Sequence, residues 1–249
     1  MPTDTPGRRW RRLACAAWLL LGSAAGGAAW AAAPPPGQYL TEGGWGRLTV
    51  TAREGSPWMS LRTSGPNGHG CGLDGPIDPQ GLVRVAPEPG APACTVRLRA
   101  TGVPGELEVT PLEPEACRGW CGARAGGFDG VYRRAATGCT LPERQRARQA
   151  FQRHYEARDY AQAGAALAPV LARCASALPP LEAAWIRNDL ALAQLKGGSR
   201  AGCRQLLQPL AERAAQPEAQ VREELPPADA QAWLRVLRAT RTNLALCAE

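Results

Sequence analysis

The chain has 249 residues with 29 basic against 22 acidic side chains, a net charge of +7, and its length suits one large domain or two small ones. Setting aside residues 1–31 lowers the excess to +4, from 25 basic and 21 acidic side chains, too thin for the dense basic face that nucleic acid demands. Lys196 is the only lysine, and the dominance of arginine and alanine reads as coding bias rather than function.

The N-terminal segment has the form of an export signal. Arg8, Arg9, Arg11 and Arg12 precede an apolar stretch over 13–25, and Ala29-Trp30-Ala31 supplies the small-x-small pattern of a cleavage site, with cleavage expected after Ala31. The apolar run is shorter than the roughly 20 residues of a membrane span. A lipid-modified cysteine would end that stretch, whereas Cys15 stands near its beginning. No later segment is apolar and long enough to span a membrane. The expectation is a soluble exported protein, periplasmic or secreted.

Residues 32–136 read as β. Large and polar residues alternate over 45–53 and 57–63 around Glu54-Gly55-Ser56, a hairpin signal. Further short runs lie at 81–86, 93–101, 106–110 and 127–134, separated by Gly/Pro clusters at 65–70, 75–81, 87–92 and 102–105. Short strands at this spacing predict a small antiparallel barrel or sandwich, whose thin core would gain from disulfides.

Residues 137–249 change period. Thr140-Leu141-Pro142-Glu143 has the form of a capping box. Ala147, Ala150, Phe151, His154 and Tyr155 then share one helical face. Further helices are expected over 160–174, from Pro180 to Gly197-Gly198, from a Ser199 cap to Ala214, and over 227–247, with a polar linker across 216–226. Leu167-Ala168-Pro169-Val170 and Leu207-Gln208-Pro209-Leu210 recur at a spacing of 40; each proline should kink or end its helix.

Eight cysteines follow residue 31, an even set behind an export signal, which points to disulfides in an oxidising compartment. The helix layout places Cys139 and Cys174 at one end of an antiparallel hairpin, and Cys203 beside Cys247. In the β region Cys71 and Cys94 flank neighbouring strand candidates and are expected to pair. That leaves Cys117–Cys121, a small structural loop or, on the sharper reading, a redox-active dithiol.

No catalytic constellation stands out. His154 falls on a helix's inward face and His69 in a glycine-rich turn; no Gly-x-Ser-x-Gly elbow or phosphate loop is present. No enzyme activity, cofactor or metal is expected. Trp45, Trp58 and Trp120 are either barrel core or an exposed binding surface.

Tyr155-x-x-x-Asp159-Tyr160-x-x-Ala163 and Asn188-Asp189-Leu190-Ala191 resemble parts of a tetratricopeptide unit over about 143–215, at a spacing of 40 residues rather than about 34. The resemblance implies stacked helix pairs with a concave groove; lined by the first and third of these helices, it would offer Gln152, Arg187 and Asn188 to a partner. Gly37-Gln38-Tyr39 and Gly130-Val131-Tyr132-Arg133 look like a first and last strand closing a barrel, similar to calycin-type proteins. Small disulfide-bonded barrels of this kind include periplasmic lysozyme inhibitors, although Ser64-Gly65-Pro66-Asn67-Gly68 lacks the tyrosine of their Ser-Gly-x-x-Tyr signature. As a whole the chain resembles exported bacterial proteins that join a disulfide-bonded β domain to tetratricopeptide-like helices. The expected fold is α+β in two segregated regions, and the expected function is non-enzymatic binding of another envelope protein. The alternative is inhibition of a cell-wall lytic enzyme through the β domain. The expected partner is thus a protein and not nucleic acid, with the oligomeric state left open.

Overall fold

The structure is a computed structural model and describes residues 34–121 and 127–248; the export segment and its cleavage site at Ala31 lie outside the described residues. Eight antiparallel strands come first: β1 (Gly37–Leu40), β2 (Gly46–Arg53), β3 (Ser56–Ser64), β4 (Gly70–Pro76), β5 (Leu82–Val85), β6 (Cys94–Ala100), β7 (Glu106–Pro111) and β8 (Gly130–Arg134). Their order, β4-β3-β2-β1-β8-β7-β6-β5, is a meander wrapped on itself. The first and last strands close it, with Tyr39 opposite Arg134 and Leu40 opposite Arg133.

Closure is nearly complete. The seam lies between β4 and β5, which touch without a hydrogen-bonded ladder: a Cβ on Gly75 would come within 2.8 Å of Val83 Cγ1. Alternation sends Leu48, Val50, Met59, Leu61, Leu73, Val96, Leu98, Leu107 and Val109 inward, where they pack with Tyr39, Phe128 and Tyr132. Side chains therefore fill the barrel, as expected for eight strands. At the β2–β3 hairpin Arg53 pairs with Ser56, leaving Glu54 and Gly55 at φ 51° and 80°, the left-handed pair that a two-residue turn needs. The strand that eluded the sequence is β4, because its GCGLDGP carries the glycines and proline that normally mark turns.

Cysteine pairing in the barrel differs from expectation. Cys71 is bonded to Cys121 and Cys94 to Cys117, in place of Cys71–Cys94 and Cys117–Cys121. The strand order explains the change, since β5 lies between the strands that carry Cys71 and Cys94. A one-turn helix α1 (Pro114–Cys117) and a 3-10 turn (Arg118–Trp120) carry the other two cysteines across that gap. Cys121 then continues extended and forms an isolated bridge with Cys71.

The helical part comprises α2 (Leu141–Glu156), α3 (Tyr160–Arg173), α4 (Pro180–Lys196), α5 (Arg200–Ala215), α6 (Glu218–Glu224) and α7 (Pro227–Ala248). The Glu143 carboxylate accepts from the Thr140 N–H at 3.0 Å, the capping box predicted from sequence. Helix α6 occupies the stretch expected to be a linker. Cys139–Cys174 and Cys203–Cys247 staple the helices, with the pairing that the helix layout predicts. Among the described residues no helix is long and apolar enough to cross a membrane.

The 40-residue repeat extends to individual hydrogen bonds. The N–H groups of Ala157 and Gly197 bond back to Arg153 and Ala193, and those of Asp159 and Ser199 to His154 and Gln194. Asp159 and Ser199 then cap α3 and α5 through the N–H groups of Gln162 and Gly202. The following helices bury Ala163, Leu167, Val170 and Cys174 in one copy, and Cys203, Leu207, Leu210 and Ala214 in the other. Both helices continue past their prolines, to Arg173 and Ala215.

Barrel and helices meet through specific contacts. Asn67, in the β3–β4 connection, caps α7 from 161 residues away: its Oδ1 accepts from Ala228 N–H at 2.9 Å, and Asp229 Oδ2 accepts from Asn67 N–H at 2.8 Å. This is the reciprocal logic of a capping box, with the cap supplied by the other part of the chain. Gln38 likewise accepts from the Leu141 N–H at the start of α2.

Candidate functional site

Helix α4 packs against α3 and α5 and leaves a groove of about 540 Å³ between them. Arg187, Leu190 and Gln194, at i, i+3 and i+7, form one helical face along it, flanked by Gly164 on α3 and by Gln205 and Leu206 on α5. Gly164 faces open space there, and a Cβ on it would meet nothing within 4 Å.

The groove's charge is unbalanced. The two carboxylates of α4 are both taken by α2: Glu182 bonds Arg144 at 2.6 Å and Asp189 bonds Arg148 at 3.2 Å. Burial pushes the Asp189 carboxyl up, and the Arg148 guanidinium partly opposes this. Arg187 is left half-buried, its nearest partner being the Leu206 carbonyl at 3.5 Å, the limit of a useful hydrogen bond. Gln194 and Gln205 are exposed and each can both donate and accept. Among the described residues the lining thus offers one cation without a carboxylate partner, two amides and two leucines. They do not make an acid–base pair or an activated nucleophile.

The sequence-predicted residues do not all converge here. Arg187 lines the groove, whereas its neighbour Asn188, about 100° further round the helix, is buried against α7. There it donates to Ala184 O and Thr240 Oγ1 and accepts from Asn243. The expectation of Asn188 as a partner contact is therefore corrected: burial and full hydrogen bonding make it a structural residue. Gln152 is exposed on α2, where it donates to Glu156 at 3.0 Å, and is not in the groove. The groove is thus lined by α3, α4 and α5, not by α2 and α4 as expected. Gly164 was the available sequence signal, a glycine in an otherwise alanine-rich helical run.

The tryptophans do not form one surface. Trp45 is 39% exposed; its ring lies over Gly130 and edge-on to Tyr132, 6.1 Å away. Trp58 is half-buried on the barrel's outer wall beneath the Arg53 guanidinium, 4.3 Å from the ring centre. The Trp45 carbonyl accepts from Ser64 N–H, and Ser64 lies six residues from Trp58 along β3, about 20 Å. Trp120 is half-buried against the barrel core. His69 lies in the β3–β4 connection and Asp74 pairs with Arg62 on the outer wall. Among the described residues no group of three or more metal-ligating side chains is present.

Comparison of the chain with known protein families, with curated proteins and with solved structures finds no match.

Proposed function

We propose that this is a non-enzymatic, exported binding or adaptor protein that holds an extended segment of another envelope protein in the α3–α4–α5 groove. The observation that carries the reading is Arg187, half-buried in a groove it shares with two glutamine amides and lacking a carboxylate partner among the described residues. A cation in that position is best satisfied by a ligand. The 40-residue repeat, similar in arrangement to tetratricopeptide helix pairs, supports a groove built for polypeptide. Four disulfides support an oxidising compartment, periplasmic or extracellular. A second reading, inhibition of a cell-wall lytic enzyme by the barrel, draws on the exposed Trp45.

Crosslinking and recovery of partners by the full mature chain separates the two. Arg187→Glu is expected to abolish capture while Trp45→Ala leaves it intact. The reverse pattern, together with loss of activity when the wild-type protein is added to a lysozyme assay, would establish the inhibitor reading instead.

A further inference from the structure

Exposure separates one disulfide from the other three. Among the eight cysteines of the described residues seven are buried, none more than 4% exposed, and Cys121 alone stands partly open to solvent. The approach to it is clear. Arg118 and Gly119, just before it, are exposed, and a Cβ on Gly119 would meet nothing within 4 Å. Arg118 is paired with Glu115 at 2.7 Å, so the two charges beside this segment offset each other.

The same cysteine fastens a defined piece of the fold. Strand β4 has a full ladder with β3 on one side. On its other side, among the described residues, it pairs only at Cys71, through the isolated bridge to Cys121. The chain leaves Cys117, itself tied to β6 by Cys94, and is then fastened to β4 by that bridge and the Cys71–Cys121 bond.

We propose that Cys71–Cys121 is a thiol-exchange site, opened at Cys121 by a dithiol reductant. Exchange requires a thiolate to reach the sulfur that it attacks, and Cys121 is the cysteine that solvent reaches. The attacking sulfur bonds to Cys121 Sγ as the S–S bond breaks. The electron pair of that bond leaves on Cys71 Sγ, which takes a proton from water. The reductant's second thiolate then attacks its own first sulfur and releases Cys121, which is protonated in turn. The reductant departs as a disulfide, oxidised by two electrons, and the protein is reduced by two. Opening the bond unfastens the free edge of β4, and an unpaired edge is a template for another strand. The three buried disulfides remain.

The test is a time course of the full mature chain under native conditions with dithiothreitol, quenched by iodoacetamide and mapped by peptide mass spectrometry. Cys71 and Cys121 should be alkylated at least about tenfold faster than any other cysteine, as access to the attacked sulfur requires. Glutathione, a single thiol, stops at the first step and should leave its adduct on Cys121, with Cys71 alkylated. The proposal is overturned if another pair is reduced first or all four are reduced together. It is equally overturned if no pair is reduced until the protein unfolds, or if the glutathione adduct sits on Cys71.

Discussion

Arg187 and Asn188 are adjacent in sequence and opposite in consequence. Asn188 donates through its amide to Ala184 and Thr240, accepts from Asn243, and the Thr240 hydroxyl donates to Val236 O at 2.8 Å. The three side chains join α4 to α7 with every amide proton of Asn188 placed. Replacing Asn188 by Ala strands the Asn243 amide and leaves a void, at a cost of about 1–3 kcal/mol. Urea denaturation should therefore show a lower midpoint for Asn188→Ala with an unchanged slope. Arg187→Ala, which opens a groove already in contact with solvent, should remain within about 0.5 kcal/mol of wild type. Equal destabilisation by both changes would mean that Arg187 braces α4 rather than serving a ligand.

Among the elements, helices were legible where their ends are marked by side-chain chemistry. The Thr140–Glu143 box, the Asp159 and Ser199 caps and the Gly197-Gly198 stop carry their signals within a few residues. The start of α7 was also expected at Pro227 and lies there, but its cap is Asn67 in the barrel, a partner that no local reading of Pro227-Ala228-Asp229 could supply. The same limit explains β4, a strand by virtue of its pairing with β3 rather than its composition. It explains α6 as well, whose Val221 is buried against the α7 cluster. The remote cap makes a definite prediction. Asn67 has φ 62°, which Gly tolerates, so Asn67→Gly removes the Oδ1 acceptor for Ala228 N–H without adding strain and keeps the backbone N–H that Asp229 accepts. It should cost about 0.5–2 kcal/mol, with faster hydrogen exchange confined to the first turn of α7 and the β3–β4 connection. Unchanged exchange there would show that the barrel contributes nothing to that helix end.

At the scale of the whole molecule, the barrel has one weak line and the cysteines lie across it. Strands β4 and β5 lack a ladder, and the segment from α1 to Cys121 is tied to β6 by Cys94–Cys117 and to β4 by Cys71–Cys121. An exposed strand edge invites pairing with other chains, so a strap here protects the fold as well as stabilising it. Sequence spacing showed an even number of cysteines but not this connectivity, because which strands flank the seam is decided only when β1 closes on β8. The Cys71–Cys121 bond closes a loop with a sequence separation of 50, for which the chain-entropy argument gives about 4 kcal/mol. Cys71→Ser with Cys121→Ser should remove up to that amount. Exchange of the β4 and β5 amides should accelerate most, while α2 and α3, stapled by Cys139–Cys174, and α5 and α7, stapled by Cys203–Cys247, keep wild-type protection. Equal acceleration in the helices would show that Asn67 and Gln38 couple the two parts into one cooperative unit, with the seam governing both. Confinement to the barrel would instead show that the seam can open while the helical groove remains formed.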